Sequence, residues 1–264
     1  MIFKQFRFEK IGQASYLVGC IGSKEAIVVD PIADLGPDFY LMEAADRGLA
    51  IAHILETHVH ADYVSCAREL ADSTGAEHRL LERAPVRYPF TGMADREVLD
   101  LGKVRLTVLA TPGHTPEHAA FLVTDGARSE EPWFVVTGDS LFVGDVGRPD
   151  LLLGDQAVDI LDESERARLQ FGSIREVLFA LPDHVEVYPA HYGGSACGGV
   201  NMSGKVSSTI GFERRHNLAM QQPDAEAFAR FVRESAKPFP ASYARFKAIN
   251  LGLETTATLQ GAPV

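Results

Sequence analysis

The sequence predicts a mixed α/β fold in which sheet packs on sheet and helices cover the outside. Short β-branched or apolar runs recur along most of the chain, and helical patterns separate several of them. The order also matters: consecutive strands open the chain, alternation with helices follows, and the middle returns to paired strands. A purely parallel, doubly wound sheet would alternate throughout.

The first ten residues alternate apolar and charged side chains, as a half-buried strand does. Strand-type runs follow at 15–18, 26–29, 50–55, 104–110, 119–123, 133–136 and 185–188. Helical patterns, with apolar residues three and four apart, cover 37–47, 63–74, 163–180 and 224–235. After Gly193 a small-residue stretch leads into polar helical sequence. The expected organisation is therefore a main domain over 1–192 and a Gly-rich loop with a helical C-terminal extension over 193–264, packed on the same domain. Neither a repeat nor a low-complexity segment interrupts it.

Charge and composition exclude several classes of function. The 264 residues carry 25 Lys and Arg against 36 Asp and Glu, a formal charge of −11, which on average repels nucleic acid and anionic membranes. Apolar stretches fall far short of the ~20 residues that span a bilayer. The N-terminal segment lacks the unbroken apolar core of a signal peptide, so a cytoplasmic location is expected. Cys20, Cys66 and Cys197 are widely spaced and form no CxxC pair, against a disulfide framework or a cysteine-bound structural zinc.

Four apolar runs stop at metal-capable side chains. The run 50–56 leads into Thr57-His58-Val59-His60-Ala61-Asp62, and 106–110 into Thr111-Pro112-Gly113-His114. The run 133–136 leads into Thr137-Gly138-Asp139, and 185–188 into Pro189-Ala190-His191. Loops after neighbouring strand ends converge on one crevice, where α/β proteins place ligands. His58, His60 and Asp62 stand two apart, which puts them on one side of an extended segment and splays them around a helix. Imidazoles with carboxylates and no thiolate suit zinc, iron or manganese. Each piece alone has a plainer explanation, such as Asp62 capping the helix at 63, but their joint order makes a metal site.

These motifs resemble those of the metallo-β-lactamase fold superfamily, with a match running from about residue 11 to 192. The resemblance implies an αββα sandwich with the metal at one edge. Within that superfamily the wording looks most like the persulfide dioxygenases, which share the Gly147-Arg148-Pro149-Asp150 segment. The stretch Ser207 to Arg215 is similar to bacterial members associated with rhodanese domains. The resemblance implies one Fe(II) per chain, with zinc as the alternative, held by His58, His114 and Asp139. It leaves His60, Asp62, Tyr63 and His191 as supporting neighbours. Dinuclear hydrolases of this fold, such as glyoxalase II, carry a His where this chain has Tyr63. A neutral phenol is a poor metal ligand, so the second metal position should be crippled.

The implied reaction takes a low-molecular-weight thiol persulfide, such as glutathione persulfide, and O2 to thiol and sulfite. A zinc thioester hydrolase of the glyoxalase II kind is the competing enzyme reading, and a metal-containing persulfide-binding protein without turnover is the non-enzymatic one. Substrate-binding candidates are Arg148, whose guanidinium suits a carboxylate, Tyr192, and Cys197 in the Gly-rich loop. No CxxxxR rhodanese loop occurs, so a sulfurtransferase partner would act in trans. His53, His78, His118, His184 and His216 read as structural or solvated, and Arg214 to His216 as a solvated basic helix face. Phe228, Phe231 and Phe239 would pack on their own domain or on a second copy, with a homodimer favoured.

Overall fold

The computed structural model describes residues 1–150, 162–238 and 240–255. Its first sheet runs in the order β1 (Ile2–Phe8), β2 (Gln13–Cys20), β3 (Glu25–Val29), β4 (Ala50–Leu55), β5 (Glu77–Leu81) and β6 (Thr91–Met93). β1 to β3 pair antiparallel and β3 to β6 parallel. The helices α1 (Pro37–Ala45) and α2 (Ala67–Thr74) make the crossovers to β4 and β5. The second sheet comprises β7 (Val98–Asp100), β8 (Val104–Ala110), β9 (Ala119–Asp125), β10 (Phe134–Gly138), β11 (Glu186–Pro189) and β12 (Ser208–Thr209). They lie in spatial order β12-β11-β10-β9-β8-β7, and within this sheet only the β10–β11 pair is parallel.

Period-two alternation builds the layers. Tyr16, Val18, Ile27 and Val29 of the first sheet meet Leu106, Val108, Phe121, Phe134 and Val136 of the second in a fully buried middle. The alternate residues Leu17, Ala26 and Val28 face outward onto Tyr40 and Ala44 of α1 and Leu70 of α2. On the far side, Leu109, Ala120, Val135 and Val187 receive α3 (Glu163–Ser173) and α5 (Ala225–Ser235) through Ala167, Phe228 and Val232. The strand runs read as fully apolar because both of their faces are covered. The αββα sandwich follows.

Two helices and three short strands differ from expectation. The helix expected at 63 begins at Ala67, because the backbone before it is committed elsewhere. The Tyr63 carbonyl and the Ser65 amide bond to the Asn250 side chain, and the Cys66 amide bonds to the Pro31 carbonyl. Asp62 therefore caps nothing. The helix expected over 163–180 starts on an Asp162–Glu165 capping box but ends as α-helix at Ser173, continuing as one π turn, Ile174–Leu178. Short strands such as β5 to β7 are too brief or too polar to carry a periodic signal.

The C-terminal segment adds α4 (Ile210–His216) and α6 (Ser242–Asn250). Phe228 is fully buried against the second sheet; Phe239 and residues 256–264 lie outside the described residues. Arg214 and Arg215 both pair with Asp183, so that face is an ion-paired helix end. Among the described residues, no helix is long and apolar enough to cross a membrane.

Candidate metal centre

His58, His114 and Asp139 come from the loops after β4, β8 and β10, and their donor atoms lie within 4.8 Å of one another. Asp139 Oδ2 is 3.4 Å from His114 Nε2 and 3.9 Å from His58 Nε2. Donors about 2.1 Å from one shared ion would stand roughly 3 to 3.5 Å apart, so little adjustment brings them onto it. All three residues are buried, and Asp139 Oδ2 has no hydrogen-bond partner. An orphaned carboxylate oxygen facing two imidazoles fits a cation.

Neighbouring groups fix which nitrogen each imidazole offers. The Thr57 hydroxyl donates to Asp30 Oδ2 at 2.9 Å, so its oxygen can only accept from His58 Nδ1, also at 2.9 Å. His114 Nδ1 donates to the Arg148 carbonyl at 2.7 Å. Both rings therefore present a bare Nε2. Burial first, then the charges of nearby histidines, holds His58 well below the ordinary imidazole range; burial likewise lowers His114 against the opposing pull of Asp139. Neutral imidazoles are the form that binds metal.

His118 looks like a fourth candidate but is fully used. Its Nε2 accepts from the Asp139 amide at 3.0 Å, and its Nδ1 donates to Thr111 Oγ1 at 2.8 Å. Burial pushes it down to about 3, which keeps it neutral as a brace for the ligand strand end. Gly138, at φ 52°, leaves room for this: a Cβ there would stand 2.5 Å from His118 Nε2.

Beside the triad runs a second chain of contacts. His191 Nδ1 lies 2.7 Å from Asp139 Oδ1, and its Nε2 lies 2.6 Å from Asp62 Oδ2. Burial alone would favour the neutral ring, but the two carboxylates override it and raise His191 well above its usual range. Each ring nitrogen of His191 thus faces a carboxylate oxygen, one of Asp139 and one of Asp62. Burial would raise Asp139 as well, yet the His191 charge holds it low and ionised. Asp62, His191 and Cys197 also lie within 4.8 Å of one another. Burial, with Asp62 and Asp139 nearby, pushes the Cys197 thiol well up, so it rests there protonated.

The remaining predicted residues fall into place around these. His60 lies 3.1 Å from Asp30 Oδ1, and its ring sits between those of His58 and Tyr63, at 4.1 and 4.5 Å. Against its burial, the Asp30 carboxylate raises its pKa. The Tyr63 hydroxyl is buried and lacks a hydrogen-bond partner, and burial drives its pKa well up. Arg148 is turned inward: it binds Asp150 through two contacts of 2.6 Å and the carbonyls of Ala196 and Lys237. Tyr192 packs in the inter-sheet core.

Asp30, Glu117 and Gln170 went unremarked in the sequence. Asp30 ends the 26–29 run, the same strand-end signal that marks the candidate ligands, and holds φ 52°, a conformation rare for a residue with a side chain. Glu117 accepts from the Val59 amide at 2.9 Å, and Gln170 donates to the Gly147 carbonyl at 2.7 Å. The latter two carry no local motif.

Residues 10–191 match the Metallo-beta-lactamase superfamily. The chain is 28% identical over 178 residues to the mitochondrial persulfide dioxygenase ETHE1 of Homo sapiens, covering 67% of this chain and 63% of that one. It is 33% identical over 181 residues to a hydroxyacylglutathione hydrolase of Methylococcus capsulatus, covering 67% and 60%. The chain thus spans less than two thirds of the length of these curated relatives. Among solved structures, a metallo-beta-lactamase from Staphylococcus aureus superposes with a TM-score of 0.85 at 34% identity, covering 96% of this chain and 73% of that one. ETHE1 from Myxococcus xanthus superposes with a TM-score of 0.78 at 27% identity, covering 96% and 100%.

Proposed function

The chain belongs to the metallo-beta-lactamase superfamily, and from that premise we propose that it is a mononuclear non-haem iron persulfide dioxygenase. The observation that carries the reading is the gathering of His58, His114 and Asp139 with their donor atoms within 4.8 Å of one another. With both ring nitrogens of His191 set against Asp62 and Asp139, and a phenol at Tyr63, two imidazoles and one carboxylate are the set offered to a single ion. That ligand set is the one used by Fe(II) oxygenases, and the likeness to two ETHE1 proteins points the same way.

The proposed reaction is R-S-SH + O2 + H2O giving R-SH and H2SO3, with glutathione persulfide or a similar small thiol persulfide as substrate. Bound iron would supply a redox-active centre with positions open to sulfur and to dioxygen. The chain's own part is to keep His58 and His114 in their Nε2-bare tautomers through Thr57 and the Arg148 carbonyl. His191 holds the Asp139 carboxylate ionised. We place the protein in the cytoplasm as a homodimer, with any rhodanese-type sulfurtransferase acting in trans.

The test is metal analysis of protein purified without oxygen, followed by an oxygen-electrode assay with glutathione persulfide. Stoichiometric iron with sulfite formation supports the reading. The likeness to a hydroxyacylglutathione hydrolase favours a second one, a zinc thioester hydrolase, which zinc with thioester cleavage would establish. A bound metal with neither activity would leave a persulfide-binding protein.

A further inference from the structure

The polar side chains Tyr243, Lys247 and Asn250 of α6 stand four and three residues apart, on one face of the helix. That face meets the segment directly after His58. Lys247 Nζ donates to the Val59 carbonyl at 3.0 Å, while the amide of Val59 is held from the other side by Glu117. The Asn250 amide group donates to the carbonyls of His60, at 3.0 Å, and Tyr63, at 2.7 Å, and its oxygen accepts from the Ser65 amide at 3.0 Å. Tyr243 hydrogen-bonds to Cys197. All three side chains are buried.

These contacts reach about 190 residues back along the chain, from a helix beyond the segment matched by the superfamily. They also explain a local anomaly: residues 59–64 form no regular structure, yet their buried carbonyls need donors. Fixing the Val59 and His60 peptides fixes the backbone leaving His58, and so the direction in which its imidazole points.

We propose that Lys247 and Asn250 are positioning residues of the metal site, so that ion affinity at His58, His114 and Asp139 is set in part by α6. This rests on the reading of those three residues as ligands, and not on the identity of the substrate.

The experiment is a titration of the full metal-free chain with cobalt(II), read by competition with a chromophoric chelator and by the visible spectrum of the bound ion. Lys247→Met keeps the aliphatic stem and removes the donor; Asn250→Asp keeps the shape and removes both donated bonds. Arg245→Met, on the same helix but outside this face, is the control. Each of the first two variants should weaken cobalt about 10- to 100-fold and alter its spectrum, with the control near wild type. If Asn250→Asp does not fold, Lys247→Met alone decides. Wild-type cobalt affinity and spectrum in the folded variants, even with lowered melting temperatures, would reduce α6 to a structural prop and overturn the proposal. A wild-type chain that binds no cobalt would instead remove the ligand reading beneath it.

Discussion

Asp139 Oδ1 accepts a hydrogen bond from His191 Nδ1 at 2.7 Å while Asp139 Oδ2 stays unpartnered, so a single carboxylate serves the proton network on one side and an ion on the other. Asp139→Asn keeps the shape but removes the charge. The variant should lose metal affinity by about 100-fold or more, with activity following, as measured by metal content after dialysis.

Tyr63 stands where dinuclear members of the superfamily carry an imidazole, and its hydroxyl is buried without a partner. Tyr63→His replaces a phenol, a poor ligand at neutral pH, with a good one. The variant is expected to gain part of a second metal equivalent in zinc-supplemented medium. Elemental analysis per chain checks it, and an unchanged metal ratio would show that Tyr63 is not what limits the chain to one ion.

Asp30 acts on His58 through the Thr57 hydroxyl. Thr57→Val abolishes the acceptor that fixes the His58 tautomer. Affinity for the metal should fall by about 10-fold, with a smaller loss of stability, and calorimetric titration separates the two.

Glu56 Oε2 lies 2.6 Å from His78 Nε2, both residues buried. Burial raises the Glu56 pKa, but the His78 charge and hydrogen bond outweigh it and the net shift is downward. A carboxyl whose folded pKa is depressed adds stability above its unfolded value, near ~4.3, and loses it as pH falls through the folded one. Glu56→Gln should therefore cost about 3 kcal/mol near neutrality, and the gap to wild type should close in acid. Urea unfolding at a series of pH values measures both.

Phe121 is fully buried between the sheets and packs with residues of both. Phe121→Ala should destabilise the fold by about 3 to 5 kcal/mol, since the rigid sheets cannot close over the cavity. Denaturant unfolding reads this directly.

Much of the candidate site was legible because its donor residues end apolar runs. The candidate ligands at 58, 114 and 139 follow the ends of strands, and strands announce themselves by composition. Asp30 carries the same signal at the end of β3. His118, four residues past His114, reads in the sequence as structural or solvated, and the hydrogen bonds on both of its nitrogens give that role its content as a brace for the Asp139 strand end. Arg148 beside a candidate-ligand loop reads equally as a substrate anchor or as a structural Arg satisfying loop carbonyls, and in the fold its guanidinium bonds Asp150 and two backbone carbonyls.

The sequence by itself determined the layers and the chemistry of the donors, because alternation, burial and side-chain type are local properties of a run of residues. The tertiary structure alone decided protonation and support. Whether His191 keeps a lone pair depends on two carboxylates 129 and 52 positions away, and whether the segment after His58 is held depends on a helix near the other end of the chain. Hydrogen bonds of that kind follow from distance in space, which no local pattern encodes.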